Sequence, residues 1–293
     1  MAFDNAYEAI IEENDARWAF GTGFEDPLSG MDTSVPRGVD GADLAAYCLM
    51  LGDDALIMSH RLQQWCTNAP ELEDEVALAN IGLDLLGQAR LLLARAGKAD
   101  GSDRDEDHHA FFRDEHEFRN VRLVEVGNGD FAFSLARLLI FGTWRLALLS
   151  RLVSSTDPVL SAIAAKGIKE VSYHRDYAAQ WTIRLGDGTE LSHQRMQAGL
   201  DTVWPLVGEL FDLHPVEARL FEVGVATDPA GLREEFDAVL AQVCSAANLR
   251  LPEASPLAGV AGRKGRDGVH TESMGFILAE LQCIARAHPE ATW

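Results

Sequence analysis

Three polar residues interrupt an otherwise apolar, helix-length run: Asn80, Asp84 and Gln88 in Val76-Ala-Leu-Ala-Asn-Ile-Gly-Leu-Asp-Leu-Leu-Gly-Gln-Ala-Arg90. Their spacing of four places them on one stripe. A helix apolar on its other faces is buried, and a carboxylate inside it must be paired, hydrogen-bonded or bound to metal. A second stripe with the same spacing runs through Lys166, Glu170 and His174, with Lys169 beside it, and Asp53 and Asp54 add acids to an earlier apolar stretch. Acid, amide and imidazole groups facing inward from several helices have two uses. They can hold a pair of metal ions, or they can satisfy one another in a polar network that fixes the register of the helices.

The elements that must position these groups are helices nearly throughout. A short helix is expected over Asp4–Phe20, then a Gly/Pro/Ser-containing linker over residues 21–41. The first core helix is expected from about Ala42 to Trp65. Asn68, Pro70 and the acids Glu71, Glu73, Asp74 and Glu75 open the second, and Arg90, Arg95, Gly97 and Lys98 close it. Asn128-Gly129-Asp130 starts a third helix to about Ser154, and Asp157-Pro158 starts a fourth to about Leu185. Asp228-Pro229 repeats that start signal. Further helices are expected at Ser192–Leu213, Pro229–Ala247 and Glu272–Ala287. Strand patterns are scarce, and the long crossover between the second and third helices points to a ferritin-like four-helix bundle. The reading is one all-α domain over residues 42–293, with additional C-terminal helices and an N-terminal extension over 1–41.

The chain has 293 residues, 47% of them hydrophobic, and a formal net charge of -21. That charge argues against nucleic acid and anionic membranes as partners. No apolar run is expected to span a membrane, and residues 1–20 carry acids where a signal peptide would be basic and apolar. Cys48, Cys66, Cys244 and Cys283 lack CxxC spacing and read as small core residues, which suits a cytoplasmic protein. The acidic connection Gly101–His116, including Asp107-His108-His109, reads as exposed and does not match an EF-hand loop. His60 beside Arg61 caps or pairs, and Trp65, Trp144, Trp181 and Trp204 read as core or interface anchors. No GxSxG, Walker A, GxGxxG or HExxH motif is present.

A ferritin-like di-iron site takes a carboxylate from each of two helices and Glu-x-x-His from each of the other two. Here Gly87 stands three residues after Asp84, and Tyr173 stands three after Glu170, with His174 one position further. The third helix has no acid after Asp130, and the ammonium groups of Lys166 and Lys169 can neutralise Glu170 without a metal. The favoured reading is a metal-free network of Asn80, Asp84, Gln88, Lys166, Lys169, Glu170 and His174. Asp53, Asp84, Gln88, Glu170 and His174 would then be vestigial metal positions. Arg263, Lys264 and Arg266 cluster on a Gly-rich loop, which reads either as solvated or as a contact for an acidic partner or a phosphate-bearing ligand.

Residues 70–90, Ile168-Lys-Glu-Val-Ser-Tyr-His174 and the segment from Gly262-Arg-Lys-Gly to His270-Thr-Glu272 together resemble the PaaC family, one of the component families of the multicomponent phenylacetyl-CoA epoxidase. Leu51-Gly-Asp53, Asn128-Gly, Asp157-Pro and Trp293 fit as well, so the likeness runs from about residue 42 to the end. The resemblance implies a ferritin-like, non-catalytic subunit that pairs with and stabilises a di-iron, catalytic A-type subunit. It further implies a B-type bridging subunit, and a reductase whose flavin and iron–sulfur groups pass electrons from NADPH. No cofactor is then expected in this chain. Two other readings stay open: a divergent metal oxidase using Asp53, Asp84, Glu170 and His174, and a stand-alone all-α protein that binds a small ligand.

Overall fold

The computed structural model describes Leu28 and residues 30–291; the helix expected over Asp4–Phe20 and the terminal Trp293 lie outside the described residues. Four long helices carry the fold: α1 (Gly41–Gln63), α2 (Leu72–Ala99), α5 (Phe131–Leu152) and α6 (Pro158–Gly186). Asp40 caps α1 by accepting from the amides of Ala42 and Asp43. Asp157 caps α6, with Pro158 in its first turn, as the sequence predicts. α1 packs along α2, α5 packs along α6, and α2 meets α6 to close the bundle.

The crossover from α2 to α5 carries the short helices α3 (Glu106–Phe111) and α4 (Arg122–Glu125). Beyond the bundle lie α7 (Glu190–Val203) against α5, α8 (Pro215–Glu222) against α1, α9 (Arg233–Ala246) against α5 and α6, and α10 (Glu272–Ala287) against α3. Among the described residues there is no strand, only an isolated bridge between Val260 and Arg263. The chain is therefore an all-α ferritin-like bundle.

Several boundaries differ from expectation for physical reasons. α2 begins at Leu72 rather than at Asn68-Pro70; the Asn68 amide donates instead to the carbonyls of Gln64 and Cys66. Gly97 does not stop α2. It lets the following loop lie against the helix, because a Cβ there would sit 1.9 Å from the Arg104 carbonyl oxygen. The single helix expected over Ser192–Leu213 changes to a 3₁₀ segment at Trp204–Phe211, where Pro205 cannot donate to the α-ladder.

By length and composition α2 and α5 are both apolar enough to cross a membrane, contrary to the sequence expectation. The apolar window of α5 is 94% buried within the fold, whereas that of α2 is 44% buried. Leu72, Val76, Leu83 and Leu86 of α2 are exposed, and they fall on one helical stripe.

Candidate functional site

The two stripes do meet, but only in part. Gln88 of α2 is buried between two charged partners. Its Nε2 donates to Glu170 Oε2 of α6 at 2.9 Å, and its Oε1 accepts from Arg145 Nε of α5 at 2.9 Å. Arg145 is fully buried and also donates Nη1 to the Leu51 carbonyl of α1 at 3.3 Å. Its Nη2 has no hydrogen-bond partner. Burial pulls the Arg145 pKa down to about 10, so the guanidinium stays protonated at neutral pH. One hydrogen-bonded chain thus joins α6, α2, α5 and α1 through a cation near the middle of the bundle.

His174 and Asp84 form a second, shorter pair, with Nε2 and Oδ2 3.0 Å apart. Burial lowers the His174 pKa and Asp84 only partly offsets this, so the ring is neutral at pH 7. With Asp84 ionised, Nε2 is the protonated nitrogen. Asp84 itself is not buried as predicted: its side chain is 39% exposed, at the surface end of the pair. Asn80 and Lys169 are exposed and stand outside the network. Lys166 is largely exposed, with Nζ 3.6 Å from Glu170 Oε1.

These residues do not fit a two-metal carboxylate centre. Asp53 points elsewhere, α5 supplies the Arg145 cation where a carboxylate is required, and Gln88 is an uncharged amide already bonded on both sides. Among the described residues no group of three or more His, Cys, Asp and Glu side chains is placed to hold a metal ion.

The heaviest concentration of buried charge lies on the far side of α1. Asp53 and Asp54 are both fully buried. Asp53 binds Arg113 at 2.5 and 3.0 Å and the Arg119 amide at 2.8 Å. Asp54 binds Arg266 at 2.8 and 3.0 Å and the Val121 amide at 2.8 Å. Arg266 is therefore a buried structural cation, not a surface contact for a partner. Of its loop neighbours, Lys264 pairs with Asp212, and Arg263 donates to the Asp267 carbonyl at 2.9 Å. The loop reaches this depth because Gly265 lies against Asn120, whose carbonyl oxygen would be 2.1 Å from a Cβ. Arg122 with Glu209, His270 with Glu125, and Arg95 with Asp157 are further buried pairs.

Sequence reasoning missed Arg145, Arg113, Arg95 and the role of Asp54. The signal for Arg145 was present: a charged residue inside an apolar helix, the same anomaly that marked Asp84. The Asp107-His108-His109 segment is also corrected. It lies in α3, and His109 is 2% exposed with neither ring nitrogen hydrogen-bonded. Burial, helped by the Arg113 charge, pushes its pKa down to about 4. The unfolded chain takes up this proton below about pH 6.5 while the folded chain resists it, so stability present above pH 6.5 is lost as pH falls toward 4. Wild type is expected to lose about 2 kcal/mol relative to His109→Gln between pH 7 and pH 4.5, somewhat under the full linkage value because the ring borders a pocket. Urea unfolding of both proteins at the two pH values checks this, and parallel losses would refute it.

The bundle, its crossover and its interior charge chain define a ferritin-like subunit whose four-helix interior is joined through an arginine. A model of the phenylacetic acid catabolic protein family matches residues 32–293. The chain is also 45% identical over 250 residues to the C-type subunit of 1,2-phenylacetyl-CoA epoxidase from Escherichia coli (strain K12), covering 85% of this chain and 99% of that protein. The chain belongs to the phenylacetic acid catabolic protein family.

Proposed function

We propose that this chain is a structural, non-catalytic subunit of a phenylacetyl-CoA epoxidase acting in aerobic phenylacetate breakdown in the cytoplasm. It pairs with a di-iron A-type subunit and holds it in its active shape, alongside a B-type bridging subunit and a flavin and iron–sulfur reductase. The observation that carries this reading is the Glu170–Gln88–Arg145 chain, which fills the bundle interior with a fixed cation and supports no metal set. The uncovered apolar stripe on α2 supports pairing, because a second bundle can bury it as an obligate interface.

The test is reconstitution. Purified alone, this chain is expected to hold only substoichiometric iron and to consume no dioxygen with reductase and NADPH. The A-type subunit is expected to be insoluble or inactive without it and active with it. Two irons per chain together with oxygen uptake abolished by Glu170→Ala would refute the non-catalytic role. A fully active A-type subunit alone would refute the stabilising one.

A further inference from the structure

His109 presents an imidazole that the fold leaves without partners: both ring nitrogens are unbonded in a residue only 2% exposed. Buried polar groups in native proteins are nearly always satisfied, so an exception of this kind calls for a group that comes from outside. The ring lines a pocket of about 260 Å³ between α1 and the crossover loop. One wall is apolar, formed by Ala45, Ala46 and Leu49 of α1.

Two arginines on the rim have donors to spare. The Arg104 guanidinium makes no hydrogen bond or ion pair among the described residues, and its backbone is set in place by the close approach to Gly97. Arg119 commits only Nη1, which donates to the His116 and Phe118 carbonyls at 2.6 and 2.9 Å, leaving Nε and Nη2 free. Arg113, the third arginine in the lining, is neutralised by Asp53 and is not available. Asp100 and Glu117 also line the pocket, and each already accepts a backbone amide, from Ser102 and Asp114 respectively. In a chain with a net charge of -21, uncommitted guanidinium groups beside an unpartnered buried imidazole are a specific arrangement.

We propose that this pocket binds a small organic oxyanion, a carboxylate or a phosphate monoester. The anionic head takes N–H groups from Arg104, Arg119 and the His109 ring, and a short apolar tail lies along Ala45, Ala46 and Leu49. The guanidinium fork suits either head group through paired N–H···O bonds. The site is separate from the Glu170–Gln88–Arg145 chain and does not depend on the structural role proposed above.

Isothermal titration of the full chain with inorganic phosphate and, separately, with hexanoate tests the proposal. Saturable one-to-one binding of at least one probe is expected, weakened tenfold or more in Arg104→Ala and unchanged in Arg195→Ala, an exposed arginine on α7. Tighter binding of hexanoate supports a carboxylate head with a tail, and binding of phosphate alone supports a monoester head. The His109 ring nitrogen resonances are expected to move with the same saturation. Because Arg104 is exposed, its variant tests the pocket without threatening the fold. No saturation with either probe, equal affinity in Arg104→Ala, or unmoved His109 resonances would overturn the proposal.

Discussion

Arg266→Met is expected to destabilise the protein by about 3–5 kcal/mol, read as a lowered urea midpoint, because it leaves a buried carboxylate without its counter-charge. Asp54 is fully buried, and both its oxygens bind Arg266. Without the guanidinium only the Val121 amide still donates to it. The Met50 and Arg119 carbonyls lose a donor at the same time. The double variant Asp54→Leu with Arg266→Met is expected to recover much of the loss, since replacing both charges removes the desolvation cost that the orphaned acid carries. If Arg266→Met alone costs less than about 1 kcal/mol, the pair is not the anchor of the C-terminal loop that its geometry indicates.

Asp53 and Asp54 also show how far the sequence could be read. Both stand out as acids in an apolar stretch, which makes them candidate carboxylates for the bundle centre. Adjacent residues on a helix point about 100° apart, so the two side chains leave α1 in different directions. Their partners come from loops 60 and 212 residues away, where no periodic pattern announces them. Helix starts were legible because caps and prolines are local: Asp157-Pro158 opens α6 as read. So was α10, which spans Glu272–Ala287 as expected. The meeting of Gln88 with Glu170, and of His174 with Asp84, was legible from the four-residue spacing. The exposure of Asp84 and of Asn80 was not, because α2 is less enclosed than its composition suggests. Arg145 escapes a reading that looks for ligands able to bind a cation, because this interior carries its own.

The exposed stripe on α2 gives the second large effect. Leu83 and Leu86 are 57% and 37% exposed, on the same face as Leu72 and Val76. Gly87 adjoins them, with open space where a side chain would be. An apolar, partly bare helix face tolerates charge in the isolated chain but not in a packed interface, since an ammonium buried there without a partner costs several kcal/mol. Leu83→Lys with Leu86→Lys is therefore expected to weaken pairing with the A-type subunit by a hundredfold or more, a loss of about 3 kcal/mol. The unfolding free energy of the chain alone is expected to change by no more than about 0.5 kcal/mol, because neither leucine completes the core. Those two readouts separate docking from folding. If the double variant unfolds early, the stripe belongs to the fold; if it still pairs with unaltered affinity, the partner sits on another face and α2 is exposed for a different reason.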